Sequence, residues 1–311
     1  MRIWLDGGFG NQLFQFAFAH YVRSLGEEKV YLFPDPKPRA DRPLLLGEVV
    51  KFCPHLEIVK DKVSKNHHKI IFRFLRRIRG KKILSRRIAS FVEFFLVLER
   101  TEFTFMKRIK KKKRDFLVSG YFQNWRYLEP IWMEISDEMN QSLKKIDLPL
   151  FTNDFFADKT KLIVLHFRIG DLARSHSTMG ILGESYYKKI LDEIRRSVPQ
   201  SIFVIAITDD LIGSQELMKN VEIDRLIGPN ELNELECFKL MSLADVVVAA
   251  NSTFSWWGAM LAMSNGGIGY IPKPWFKNWT TETGDAFEYP GLKVSESSFV
   301  DSLNFKSEFI D

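Results

Sequence analysis

Residues 162–171 read LIVLHFRIGD. Four aliphatic residues in succession, β-branched at Ile163 and Val164 and too few for a stable helix, predict a buried parallel strand. His166, Arg168 and Asp171 arrive where that strand must stop. In open α/β sheets, ligands bind outside the carboxyl ends of the strands, so a permanently charged guanidinium delivered there is placed to meet an anion. A salt-bridged arginine on an ordinary loop reads this one segment equally well. The neighbouring strands decide between the two.

Downstream, strands alternate with helices. Tyr186, Tyr187, Ile190, Leu191 and Ile194 fall on one face of a helix closed by Pro199. SIFVIAI at 201–207 is a second unbroken apolar strand, ending in Thr208, Asp209 and Asp210. Residues 231–243 predict a helix with Asn230 as N-cap and acids in its first turn. A third strand at 245–250 ends in Asn251, Ser252, Thr253, Phe254 and Ser255, and a helix follows from about Trp256. A fourth strand at 268–271 is stopped by Pro272. This alternation spells βαβ units and a parallel, Rossmann-like sheet.

Upstream, a short strand at 2–5 runs into the glycine turn Asp6-Gly7-Gly8-Phe9-Gly10-Asn11. A helix at 12–25 follows, with Leu13, Phe14, Ala17, Phe18, Tyr21 and Val22 at helical spacing and Gly26 as its stop. Strand, glycine turn and helix in that order offer free backbone N–H groups to an anion. The dinucleotide fingerprint is incomplete, because Leu13 stands where the third glycine belongs, and no Walker-type lysine follows. A packing turn is the other reading of these glycines. Residues 30–33 predict a second strand, 34–43 a proline-punctuated loop, and FLVSGYF from Phe116 a further strand. That strand leads into Gln123, Asn124, Trp125 and Tyr127, which suit sugar faces but read better as core.

Charge is unevenly spread. Residues 60–114 hold twenty Lys or Arg against four acids, Asp61, Glu93, Glu99 and Glu102, so the other residues carry net negative charge although the whole chain is +6. Phe72, Phe74, Phe91, Phe94 and Phe95 are mixed into this block, and IIFRFLRRIRG and RRIASFVEFFLVL within it have helical spacing. Apolar side chains beside clustered cations fit an anionic membrane face or a lipid-linked phosphate better than nucleic acid. The chain is expected to bind no nucleic acid. A merely solvated charged face is the plain alternative.

A chain of 311 residues exceeds the usual size of one core, so two domains are expected, 1–155 carrying the basic insert and 156–311. Cys53 and Cys237 lie far apart without metal-like spacing, which fits reduced thiols in the cytoplasm. MRIWLDGG has neither the length nor the flanks of a signal peptide, and no apolar run is long enough to cross a bilayer. The expected location is cytoplasmic, peripheral at the inner face of the cell membrane.

Right-handed crossovers bring consecutive strand ends to one sheet edge, so the clusters at His166–Asp171, Thr208–Asp210 and Asn251–Ser255 are expected to line one crevice. Small hydroxyls at a helix start accept a diphosphate, an acid at a strand end binds a ribose hydroxyl, and Arg168 neutralises charge growing on a departing phosphate. Magnesium-dependent sugar transferases need two carboxylates around one residue, and no Asp-x-Asp occurs. Asp209 and Asp210 are adjacent and point to opposite faces of a strand. The expected site therefore uses no metal and no cofactor.

GFGNQLFQFA, HFRIGD, the YYKKIL helix and NSTFSWWGA, in this order, resemble the bacterial α-1,2-fucosyltransferases of glycosyltransferase family 11. The resemblance implies a GT-B α/β architecture, two facing Rossmann-like domains with parallel sheets. It implies inverting transfer of L-fucose from GDP-fucose to the 2-hydroxyl of a galactoside or N-acetylgalactosaminide; the expected acceptor is a lipid-linked or surface-polysaccharide precursor. Arg168 matches the essential arginine on the GDP phosphates. His166, Asp209, Asn251, Ser252, Thr253 and Phe254 help to hold GDP, and Gly8, Phe9, Gly10 and Asn11 close the cleft from the N-terminal side. Asp171 is the candidate catalytic base, and Asn11 is placed to orient the attacking hydroxyl. The family's HxRRGD has Ile169 in place of its second arginine, and its HGV histidine is replaced in Met179-Gly180-Ile181, so no role carries over to those two positions. A GT-B transferase of another nucleotide-sugar, or a binding module without turnover, is the alternative.

Overall fold

The computed structural model describes residues 1–26, 30–34, 43–49, 56–58, 96–98, 103–105, 117–149, 151, 160–278 and 285–301. Most of the basic block, and Cys53, lie outside them.

The first half is a parallel sheet of five strands, β1 (Arg2–Leu5), β2 (Val30–Pro34), β3 (Leu56–Ile58), β4 (Leu96–Leu98) and β5 (Leu117–Ser119), in the order β3-β2-β1-β5-β4. Helix α1 (Phe9–Ser24) follows β1, α2 (Leu46–Val49) follows β2, and beyond β5 a 3-10 turn at Trp125–Tyr127 leads to α3 (Trp132–Leu143). Helix α1 begins three residues earlier than the glycine turn predicts, so Phe9, Gly10 and Asn11 form its first turn. It ends as expected, with Gly26 at φ +93°, a conformation that favours glycine. The end of RRIASFVEFFLVL is strand β4 and not helix: at the sheet edge, pairing with β5 overrides the helical spacing.

The second half contains β6 (Lys161–Phe167), α4 (Gly170–Ala173), α5 (Glu184–Ser197), β7 (Ile202–Thr208), α6 (Leu211–Leu217), β8 (Arg225–Ile227), α7 (Glu234–Leu243), β9 (Val246–Val248), α8 (Thr253–Ser264), β10 (Ile268–Lys273) and β11 (Lys293–Glu296). The parallel order β11-β10-β9-β6-β7-β8 is the doubly wound arrangement, with its switch point between β6 and β9. Together the halves form the GT-B architecture. Strand β6 reads as continuous apolar sequence because both faces are covered. Leu162 and Val164 enter one core, while Ile163, Leu165 and Phe167 enter another beneath α5. The five apolar residues expected on one face of α5 are all buried.

Helix α8 starts at Thr253, three residues before the expected Trp256, and β9 spans only Val246–Val248; two further boundaries differ for physical reasons. Helix α7 starts at Glu234 and not at 231, because Asn233 forms a capping box with Glu236. Strand β10 runs through Pro272 to Lys273, since β9 pairs only as far as Tyr270 and the missing N–H of Pro272 costs no bond on that side.

The two halves share a core. Ile3, Leu13, Phe14 and Phe18 belong to the same buried cluster as Val164, Ile205, Val247, Trp256 and Trp257. Phe14 lies 4.9 Å from the Trp256 ring, 5.2 Å from Trp257 and 6.0 Å from Phe287, which anchors α1 on α8 through aromatic contacts. At their first turns the helices come closer still. A Cβ at Gly10 would stand 2.5 Å from the Phe254 nitrogen and 2.5 Å from the Thr253 carbonyl carbon. These are backbone atoms and cannot swing aside. Gly10→Ala is therefore expected to cost about 1–3 kcal/mol, seen as a lower urea midpoint at unchanged m. Gly8→Ala, whose methyl meets nothing within 4 Å, is expected to leave the midpoint in place.

Candidate active site

Helix α1 starts at the carboxyl end of β1, and α8 starts just past the carboxyl end of β9. Their contact at Gly10 therefore sets the carboxyl edges of the two sheets against each other. The expected convergence holds: β9, β6 and β7 are adjacent, so their three terminal clusters lie along one edge, opposite the first turn of α1.

Arg168 leaves the end of β6 and is gripped by two carboxylates. Its Nη1 pairs with Asp209 Oδ2 at 3.1 Å, and its Nη2 with Asp171 Oδ1 at 2.8 Å, the side chain remaining 30% exposed. Burial acts to lower the pKa of this guanidinium, but the carboxylates of Asp209 and Asp171, with Glu234 of α7 behind them, outweigh it and raise it. Arg168 stays cationic, and a guanidinium has five N–H donors, so two ion pairs leave donors for another anion. Asp209 does more than pair. Its Oδ1 accepts the Ile169 and Gly170 backbone N–H groups at 2.9 and 3.1 Å, which fixes the loop that carries the arginine. Both oxygens of this acid thus face the β6 loop. Its neighbours are structural: Asp210 caps α6 through the Gly213 N–H, and Thr208 bonds Asp210 and Ser214.

Two tyrosines read from sequence only as apolar face residues hold the strand ends in place. Tyr187 donates to the His166 carbonyl at 2.8 Å and Tyr186 to the Ala249 carbonyl at 2.9 Å, so α5 ties β6 to the chain beyond β9 across the switch point. Two consecutive hydroxyls on an otherwise apolar helix face were the available signal. The His166 side chain is buried, 5.6 Å from the Phe254 ring, and its Nδ1 has no hydrogen-bond partner among the described residues. Burial first, and the neighbouring Arg168 charge second, hold its pKa down to about 3.

Asn251 is turned to structural work by its Nδ2, which donates to the Gly180 and Met179 carbonyls at 3.0 and 3.3 Å, while its buried Oδ1 has no partner among the described residues. Ser252 stands at the N-cap of α8 without a side-chain capping bond, and Thr253 and Phe254 form its first turn. Gly8 is the equally uncapped N-cap of α1. Neither helix has an acid in its first turn, whereas α3, α5 and α7 each do. The two N-termini that meet at the junction therefore keep the positive end of their dipoles uncompensated by a first-turn acid, a setting that favours an anion. Asn11 spans it: its Oδ1 accepts from Thr253 Oγ1 at 3.0 Å and from Gln123 Nε2 at 2.7 Å. Gln123 and Glu234 are the residues that sequence reasoning did not bring to the site. Asn124, Trp125 and Tyr127 are buried, as the core reading expects.

Among the described residues no three His, Cys, Asp or Glu side chains form a group that could hold a metal ion, and no helix is long and apolar enough to cross a membrane. Cys237 is a free, buried thiol whose pKa burial pushes up to about 12.

The state of His166 has a measurable consequence for stability. Unfolded, the imidazole titrates near 6.5; folded, at about 3. Between those values the unfolded chain binds more protons, so this group lowers stability as pH falls from about 6.5 toward 3, by at most about 1.4 kcal/mol per pH unit. His166→Gln removes that contribution. Its urea midpoint is expected to fall less steeply than that of the wild type between about pH 6.5 and pH 4, and equal slopes contradict a buried neutral imidazole.

Comparison with known proteins places this site in a family. The chain is 25% identical to the O-antigen biosynthesis glycosyltransferase WbnK of Escherichia coli over 294 residues, covering 88% of this chain and 93% of that one. It is 27% identical to an alpha-1,2-colitosyltransferase of Escherichia coli over 286 residues, covering 88% and 91%. Among solved structures, the fucosyltransferase NodZ from Bradyrhizobium aligns at a TM-score of 0.47 and 14% identity, covering 84% of this chain and 92% of that one. The sequence profile described as Glycosyl transferase family 11 matches residues 49–289, which include Arg168, its two carboxylates and the start of α8. The chain belongs to glycosyl transferase family 11.

Proposed function

We propose that this glycosyltransferase moves L-fucose from GDP-fucose, with inversion, to the 2-hydroxyl of a galactose-type acceptor in an O-antigen or capsule precursor. The observation that carries the reading is the setting of Arg168. A guanidinium is clamped at the switch point of a doubly wound sheet, on an edge that faces two uncapped, acid-free helix N-termini. Such a site suits a diphosphate that gains charge as its bond to the sugar breaks.

In this reading the acceptor oxygen attacks the anomeric carbon from the side opposite the diphosphate. The bond from that carbon to the phosphate oxygen breaks, and GDP departs with the electron pair. Arg168 and the N–H groups of α8 take the growing charge, His166 stays neutral beside them, and Asp209 keeps the arginine loop rigid. We propose that Asp171, one of whose oxygens pairs with Arg168, takes the proton of the hydroxyl. Spare N–H donors of Arg168 and the two helix N-termini are the groups that receive the charge, and we propose a reaction without a metal. The basic block is the proposed contact with an anionic membrane face that presents a lipid-linked acceptor.

A second reading has its own support: one relative is a colitosyltransferase, and colitose is the 3-deoxy form of L-fucose. One hydroxyl on the donor separates the two readings. The test offers GDP-fucose, GDP-colitose, GDP-mannose and UDP-sugars, with chelator present, to a panel of galactosides and N-acetylgalactosaminides, the linkage and anomeric configuration being read by NMR. Transfer from GDP-fucose at undiminished rate in chelator is the expected result; transfer only from another donor, or only with added metal, overturns it. Arg168→Ala, folded as judged by circular dichroism, is expected to lose about 10²–10³ in kcat.

A further inference from the structure

Gln123 belongs to the first half, just beyond β5, and its side chain is 7% exposed. It donates from Nε2 to Asn11 Oδ1 at 2.7 Å, and Thr253 of the second half donates to the same oxygen at 3.0 Å. Both bonds fall on the oxygen end of the Asn11 amide. Its Nδ2 is the end left over, and among the described residues it has no hydrogen-bond partner. That nitrogen lies against Gly7, where a Cβ would stand only 2.7 Å from it, so the turn leaves room for the amide by omitting a side chain.

The backbone that delivers Gln123 points to the same conclusion. Phe122 has φ +52°, a left-handed conformation that is strained for a bulky residue. It is held there by complete burial and by a parallel stack on Phe18 of α1, with centroids 3.7 Å apart. Strain kept up by surrounding packing is characteristic of segments that must deliver the next side chain accurately.

We propose that Gln123 is a positioning residue for sugar transfer, which together with Thr253 presents Asn11 as a hydrogen-bond donor to the diphosphate of the nucleotide-sugar. The proposal rests on the glycosyl-transfer reading above and assigns Asn11 to the leaving group instead of the incoming hydroxyl. An amide whose oxygen already accepts two bonds has only its N–H groups to offer, and these match an oxygen on which negative charge grows. Because Thr253 comes from the other half, the donor is correctly oriented only when α1 and α8 are docked.

The test is a double-variant cycle of Gln123→Ala and Asn11→Ala, with kcat and donor KM measured on whichever nucleotide-sugar the wild type uses. Gln123→Ala is expected to lower kcat about tenfold with donor KM within about twofold, and Asn11→Ala to lower kcat about a hundredfold. The double variant is expected to match Asn11→Ala within about twofold, because Gln123 acts only through Asn11. Gln123→Glu keeps the size of the side chain but offers an acceptor, turns the Asn11 amide round, and is expected to be slower than Gln123→Ala. It also serves in the cycle if the alanine variant does not fold. Losses that multiply in the double variant, or wild-type kcat in Gln123→Glu, overturn the proposal. A wild type that transfers no sugar from any donor instead overturns the parent reading, so the two failures are distinguishable.

Discussion

The structure depends on one close approach, the first turn of α1 against the first turn of α8. Any residue but glycine at position 10 would drive a Cβ into the backbone at Thr253 and Phe254. Because no such atom is present, two helix N-termini meet, and the carboxyl edges of both parallel sheets meet with them. Behind the contact, Phe14 fills the space beside Trp256 and Trp257, and Phe9 packs edge-on against Phe238 of α7 at 5.0 Å. A buried cluster common to both halves follows. Removing apolar surface from water is what holds the pair together, while the missing side chain sets how near they come.

Electrostatics at the junction is unequal by design of the sequence. Two like-signed helix ends brought together repel, and nothing in their first turns relieves this: no acid, no capping side chain. Elsewhere α6 and α7 have capping side chains, most fully α7, where Asn233 and Glu236 satisfy each other's backbone groups, while α3 and α5 are uncapped but carry an acid in the first turn. Acids are instead spent on Arg168, which keeps that cation in a partly buried position while the helix ends stay unpaired. The positive end of each helix dipole is thus left without a compensating acid at the junction, which favours an anion there.

Much of this was legible in the sequence, and the parts that were not have a common cause. Strands β6 and β7 are long and apolar without interruption, so their existence, their parallel setting and the polar residues at their ends could be read directly. Strands β3, β4, β8 and β11 are three or four residues long and carry no periodicity; they are strands because a neighbour pairs with them. The start of α1 was placed late because capping rules look for Ser, Thr, Asp or Asn, and this helix begins bare behind Gly8. Arg168 and Asp171 announce themselves by position. Gln123 does not, since its partner Asn11 is 112 residues away and only the folded chain joins them.

Position 169 shows how the chain holds the loop that carries Arg168. Where the family pattern has a second arginine, Ile169 is fully buried in the cluster beneath α5, while Arg168 beside it is partly exposed. Its contribution to the site comes from the backbone, through the N–H that Asp209 holds at 2.9 Å. That bond and the adjacent one from Gly170 hold the loop that carries the Arg168 guanidinium. An apolar side chain at 169 strengthens this by adding a core anchor directly beside the charged residue, so that the loop is held from below by packing and from the flank by a carboxylate. Packing from below and a carboxylate at the flank thus place this one guanidinium rigidly, with donors to spare.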